Sequence, residues 1–377
     1  MSAFPIRLPC PRLRGPTPMS DTPSPRIATK PVLLWLLLFS VSLLAGAGLV
    51  WLDVPAAFFV GAVVCGLIFS LSGSGLKLSR RFFFCAQALV GCSVAKSMSP
   101  QIFGVLAANW LVFAGMVCSS VVAGGLVGWC MTRFHILPGN TAAWGSSPGG
   151  AAAMVAMAES FGADARLVAM MQYLRVLVVV LSASMVAHWL TVPQPVASAL
   201  ASPWSFAALF QGQPVQMALT LAIAVVSSLI AVRLRIPAGP LLATMIVGAV
   251  LNSAGVVEFR LPNAFQIGAS VLVGWYVGLG FNRALLISTL RKLHWLFFSA
   301  FLLIALCAFF AWSLYHFSHC DPLTAYLATT PGGLDSVILL AMGANTDVPF
   351  VVAAQTLRLF LVILTGPFVA RLICRFA

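Results

Sequence analysis

Thr141, Ser146-Ser147-Pro148-Gly149-Gly150, Asp164, Gln172 and Arg175 return as Thr324, Thr329-Thr330-Pro331-Gly332-Gly333, Asp347, Gln355 and Arg358, each 183 positions later. A duplication without a gap confines the fold to two copies of one unit. Each copy carries a helix-breaking Pro-Gly-Gly and a Gln-x-x-Arg inside an apolar stretch, the pattern of a membrane transporter built from repeats.

Composition fixes the solvent. With 61% apolar and 8% charged residues over 377 positions, the polar surface is too small to solvate a globule of this size. The expected class is an all-α integral membrane protein. Residues 32–51 hold no charge over about 20 positions, the length that crosses the hydrocarbon core as a helix. Similar runs follow at 55–73, 82–98, 104–131, 165–190, 214–232, 237–257, 264–281, 293–317 and 348–370. None shows the apolar–polar alternation of a transmembrane β-barrel. The net charge of +13 comes from 21 basic residues lying mostly at the ends of these runs. That pattern reads as membrane topology and not as nucleic-acid binding. Nine cysteines and five histidines show no metal-ligand spacing, so no cofactor or metal is expected.

Residues 1–30, rich in Pro, Ser and Arg, read as a disordered basic cytoplasmic tail in which Met19 is an alternative start. Residues 31–191 form the first membrane repeat, 192–213 a Pro-rich interfacial linker, and 214–377 the second repeat. Val54-Pro55 and Ile236-Pro237 are expected to open matching helices with Pro in the first turn. Leu89-Val90-Gly91 matches Leu272-Val273-Gly274 at the same spacing. If the Pro-Gly-Gly segment is re-entrant, each repeat has about five spans plus one broken helix, and the second repeat enters from the opposite side. The basic clusters Lys77/Arg80/Arg81, Arg133, Arg233/Arg235, Arg283/Arg291/Lys292 and Arg371/Arg375 then share the cytoplasmic side with both termini. If the segment crosses fully, the repeats are parallel unless the linker also crosses. The charge count favours inversion.

The breaks carry the chemistry. Asn140–Glu159 and Leu323–Met342 are helical in composition on both sides of Ser146–Gly150 and Thr329–Gly333. Pro removes a backbone bond and Gly-Gly loosens the helix, leaving orphan N–H and C=O groups. In hydrocarbon such groups cost several kcal/mol each, so a break must face protein, water or ligand. The second half-helix would aim its N-terminus at that space, with Ser and Thr hydroxyls as further donors, an arrangement that suits an anion.

Arg175 and Arg358 lie about ten residues into their spans, too deep for easy snorkelling. Gln172 and Gln355, three positions earlier, share their helix faces. Two roles stay open for the arginines: clamping carbonyls at half-helix ends, or binding a substrate carboxylate or phosphate. Asp335 breaks the symmetry, since its counterpart is Ala152. It is either a proton or Na⁺ coupling site or an ion-pair partner of Arg175 or Arg358. Asp164 and Asp347 read as helix N-caps.

With these motifs the chain resembles the AbrB-type duplicated bacterial membrane proteins, a family also labelled as ammonia monooxygenase and as regulator of gene expression. The resemblance covers about residues 31–375. It offers no DNA-binding domain and no repeated histidine set for copper. More distantly, two repeats with one broken helix each look like the cation/proton antiporter and anion-transporter superfamily. That likeness implies that Ser146–Gly150 and Thr329–Gly333 are crossing points of two broken helices.

The resulting expectation is a non-enzymatic, multi-pass protein of the bacterial inner membrane. It would carry a small organic anion or similar solute, with H⁺ or Na⁺ as candidate coupling ions, by alternating access around the two breaks. The alternative is a membrane-embedded regulator acting on gene expression through a partner, without contacting nucleic acid itself. A homodimer is compatible with this plan, although no span presents a decisive small-xxx-small face.

Overall fold

The computed structural model describes residues 31–97, 110–134, 136–137, 139–148, 151–190, 214–234, 236, 238–255, 257, 261–281, 283–318, 320–344 and 346–376. The basic tail, the linker, Gly149, Gly150 and Pro237 lie outside these residues. Among the described residues all regular structure is helical. The first half supplies α1 (Pro31–Trp51), α2 (Ala57–Leu71), α3 (Arg80–Ser97), α4 (Trp110–Arg133), α5 (Gly139–Ser146), α6 (Ala151–Ser160) and α7 (Ala165–Leu190). The second half supplies α8 (Pro214–Arg233), α9 (Gly239–Ser253), α10 (Asn263–Gly278), α11 (Arg283–Ser318), α12 (Pro322–Thr329), α13 (Leu334–Gly343) and α14 (Val348–Phe376).

Each of the ten apolar runs folds as a helix. Six of them, α1, α4, α7, α8, α11 and α14, contain stretches long and apolar enough to cross a membrane. The chain is therefore a multi-pass membrane protein by length and composition. By contrast α2 and α9 have 15 residues each, about 22 Å of helix, which is shorter than a typical hydrocarbon core. Runs read from apolarity alone included the turns at both ends of these helices.

Pro55 also differs from expectation. It lies in the turn before the N-cap residue Ala56, not inside α2. Ala56 and its counterpart Ala238 are both left-handed, with φ of 52°. This conformation costs a non-glycine residue about 1 kcal/mol or more. The tight reversal before α2 and α9 is thus built the same way twice.

Packing divides the helices into two groups. α1, α2, α3, α8, α9 and α10 form a six-helix bundle; α4 to α7 and α11 to α14 form an eight-helix bundle. In the first, partners are exchanged between halves: α2 packs on α10, and α9 packs on α3. Gly91 and Gly274 permit this. A Cβ at Gly274 would sit 2.7 Å from the Phe59 carbonyl oxygen of α2, and one at Gly91 would sit 2.6 Å from the Leu241 carbonyl oxygen of α9. The repeated Leu-Val-Gly is therefore a close-approach device, of the kind that holds helices together where lipid offers no hydrophobic drive. α1 and α8 close the outer flanks and leave most of their apolar side chains exposed, as lipid-facing helices do. The two bundles meet where α2, α3 and α10 touch α7, α13 and α14.

Candidate functional site

Each broken helix starts and stops for local reasons. In the second half, Asp321 caps α12 by accepting from the backbone N–H of Leu323 (3.1 Å) and Thr324 (3.0 Å), with Pro322 in the first turn. Pro331 then ends the helix, because it has no N–H to continue the ladder and its ring clashes with the turn before it. The chain runs through Thr330, Pro331, Gly332 and Gly333 without helix and restarts at Leu334. α5 stops before Pro148 in the same way, and α6 begins at Ala151. Both α5 and α12 have eight residues, about 12 Å of helix whose last carbonyls lack partners within it.

Gln-x-x-Arg supplies those partners. Gln355 Nε2 donates to the carbonyls of Leu327 (2.7 Å), Ala328 (3.4 Å) and Thr330 (3.1 Å). Gln172 Nε2 donates to Trp144 (3.0 Å), Gly145 (3.4 Å) and Ser147 (3.2 Å), the same three positions one repeat earlier. Arg358 Nη1 donates to Thr330 O, and Arg175 Nη1 to Ser147 O at 2.8 Å. All four side chains are buried. In this structure these side chains clamp carbonyls, one of the two roles the sequence leaves open. Each guanidinium charge is solvated by carbonyls at the negative end of a half-helix, which is how a buried arginine persists without a carboxylate.

The grips differ at the glutamine oxygen: Gln172 Oε1 accepts from Arg175 Nη2 at 2.6 Å, whereas Gln355 Oε1 has no hydrogen-bond partner. Arg358 Nη2 donates to Gly332 O at 2.9 Å. The hydroxyls of Ser146 and Thr329 bond to carbonyls of their own helices, Ala143 at 3.3 Å and Ala325 at 3.0 Å. The Thr330 hydroxyl is buried without a partner. Ser147, Pro148 and Pro331 lie in the breaks; Gly332 and Gly333 complete the second one.

Asp164 and Asp347 are N-caps of α7 and α14. Asp164 Oδ1 accepts from Arg166 N at 3.0 Å, and Asp347 Oδ1 from Phe350 N at 3.0 Å. Thr141 and Thr324 explain their own recurrence: each hydroxyl accepts the backbone N–H of the Asp that opens the following long helix, at 3.2 and 3.1 Å.

Asp335 stands apart from this scheme. It occupies the first turn of α13, where a carboxylate complements the positive helix end. Its partner is neither arginine: Gln87 of α3 donates Nε2 to Asp335 Oδ1 at 2.9 Å, across the junction of the two bundles. The sequence analysis did not single out Gln87, although an amide in the middle of an apolar helix is a usable signal. It also missed Gly124 and Gly128 of α4, which make room for the first break. A Cβ at Gly124 would lie 2.7 Å from Pro148 Cδ, and one at Gly128 would lie 2.5 Å from Ser146 Oγ. Among the described residues no group of three or more His, Cys, Asp or Glu is placed to hold a metal ion.

A family model described as "Transition state regulatory protein AbrB" matches residues 58–374. An Escherichia coli (strain K12) protein named "Putative regulator AbrB" is 43% identical over 347 residues, covering 92% of this chain and 98% of that protein. A Bacillus subtilis (strain 168) protein named "Uncharacterized protein YhjN" is 28% identical over 300 residues, covering 77% of this chain and 78% of that protein. The first two names say regulator and mention no enzymatic activity.

Proposed function

The chain belongs to the AbrB family of membrane proteins, and from that premise we propose that it is a secondary transporter of a small solute. In this reading the halves are inverted repeats, both termini face the cytoplasm, and the eight-helix bundle rocks against the six-helix bundle across the inner membrane. The observation that carries it is the pair of broken helices, each with its carbonyl end gripped by a buried Gln-x-x-Arg. Irregular backbone within an apolar bundle is tolerated where it is buried in protein or lines a path for solute. Residues 31–191 and 214–377 are the two repeats, residues 192–213 join them, and the protein works without a cofactor or an enzymatic step.

Both sets of break residues, Ser146–Gly150 with Gln172 and Arg175, and Thr329–Gly333 with Gln355 and Arg358, frame the solute path in this proposal. Asp335 is its charged element and the coupling position for H⁺ or Na⁺. The arginine amino groups are committed to carbonyls, so an anionic solute would have to displace those bonds to use them. A homodimer is compatible with the exposed faces of α1 and α8 but is not required by the cycle.

The test is electrical current from reconstituted protein on a solid-supported membrane, challenged in turn with acetate, phosphate, sodium and methylammonium. Transport predicts a current for one of these that disappears in the Pro148→Ala/Pro331→Ala double variant, since unbroken helices would close the path. No current for a wider solute panel would count against the reading.

The regulator names favour a second reading, a membrane-embedded regulator that alters gene expression through a partner. It predicts a transcript change that survives the double proline variant but is lost when residues 1–30 are deleted.

A further inference from the structure

At the junction of the two bundles, Gln87 is 3% exposed and is held at Asp335 by its Nε2, while its Oε1 has no hydrogen-bond partner. Leaving a buried amide oxygen unpaired is unfavourable, and here it lies beside a carboxylate. One turn earlier on the same face of α3, Phe83 stacks on Tyr276 of α10, with ring centroids 3.7 Å apart. Tyr276 lies near Tyr173 of α7 and within electrostatic reach of Asp335 and Arg80. Phe83, Tyr173, Tyr276 and Asp335 are all half-buried, so the cluster is not sealed.

The bland account makes Asp335 a helix-end charge and Gln87 its support. That account leaves the Gln87 oxygen unexplained. An oxygen acceptor, a carboxylate and a hydroxyl beside aromatic rings form a set that recognises a donor-bearing cation. An alkali ion needs oxygens on all sides, and aromatic faces supply none. A primary ammonium directs its N–H bonds to acceptors on one side and presents its carbon and remaining charge to aromatic rings. Arg80 is exposed at the start of α3, whereas the charge set directly against the buried Gln87 is that of Asp335, which repels an anion.

We propose that this junction, formed by Asp335, Gln87, Phe83 and Tyr276, binds a primary alkylammonium ion. The inference rests on the transport reading for its purpose, because it names the solute class that would pass between the bundles. Asp335 supplies the counter-charge, Gln87 Oε1 and the Tyr276 hydroxyl accept N–H bonds, and Phe83 limits the alkyl group.

The experiment is equilibrium binding of radiolabelled methylammonium to the purified full-length protein, followed by counterflow of the same probe in proteoliposomes. Expected are saturable binding competed by ethylammonium but not by sodium or acetate, and about tenfold weaker binding in Gln87→Leu, which removes one bond to a charged group. Asp335→Asn should abolish binding, and Phe83→Ala should let longer alkylammonium ions compete better. Gel-filtration profiles identify any variant that fails to fold, and the wild-type competition pattern decides the matter without them. No saturable methylammonium binding, or binding unchanged in well-folded Gln87→Leu and Asp335→Asn, overturns the site. Current with acetate or sodium but no methylammonium binding sinks this site and leaves the transport reading standing. Methylammonium binding without counterflow supports the site and sinks the transport reading instead.

Discussion

The break that follows Ser146 and the break at Thr330–Gly333 are built from the same parts but sit in different chemical surroundings. Both are gripped by a buried Gln-x-x-Arg reaching the same three carbonyl positions, and both are tied by a Thr hydroxyl to the Asp that caps the next helix. They part at Asp335, which has Ala152 as its counterpart, and at the glutamine oxygen, which accepts from its arginine only in the first half. What the halves share is what any broken helix in an apolar bundle requires: donors for its orphan carbonyls. What they do not share is chemistry. The grip explains why the breaks persist, and the asymmetry marks where a solute or ion would be recognised.

Substitutions can break this comparison. The largest effect is expected for Arg358→Ala, which removes two hydrogen bonds from a charged group, leaves Gly332 O without its donor while Thr330 O keeps Gln355, and should cost about 3–6 kcal/mol at about 1.5–3 kcal/mol per bond to a charged group. The readout is a lowered unfolding temperature and loss of monodisperse protein in detergent; a variant as stable as the parent would show that the grip is dispensable. Next, Gln172→Leu should cost about 1.5–3 kcal/mol more than Gln355→Leu, because only the Gln172 oxygen accepts from its arginine. Equal costs in denaturant titrations would mean that the two grips do not differ in solution.

A third pair probes the six-helix bundle. Gly91→Ala and Gly274→Ala each push a methyl group against a backbone carbonyl of the facing helix, for an expected loss of about 1–3 kcal/mol apiece. Matching losses support reciprocal packing, and a loss confined to one variant refutes it. The smallest effect belongs to Thr141→Val and Thr324→Val, about 1 kcal/mol each and alike in both halves. Their unfolding midpoints measured side by side would sharpen or dissolve the symmetry at the N-caps.

Much of this arrangement could be read from residue order, because the constraints involved are local. Pro148 and Pro331 forbid helix continuation wherever they stand, so both breaks were visible. Buried arginines without nearby carboxylates have few options, and carbonyl clamping was one of the two named. Asp164 and Asp347 precede apolar runs at capping distance, and they cap. Contacts between distant helices were not legible. Leu-Val-Gly was seen to repeat, but only the fold shows Gly91 against α9 and Gly274 against α2. Gly124 and Gly128 form a small-xxx-small stripe that faces the Ser146–Pro148 break within the same chain. The pairing of Gln87 with Asp335 spans 248 positions, and no spacing rule reaches that far.

Alternating access requires the two bundles to move against each other. The most direct test is pulsed electron resonance in lipid nanodiscs, on a cysteine-free background carrying nitroxides at Val250 of α9 and Leu364 of α14. Both positions are exposed, one on each bundle. A control pair at Leu229 of α8 and Val250 lies within the six-helix bundle. Alternating access predicts one narrow distance for the control and at least two populations for the between-bundle pair, with their proportions changed by Asp335→Asn. A single, equally narrow distance for both pairs, unaltered by the substitution and by every solute tried, would contradict it.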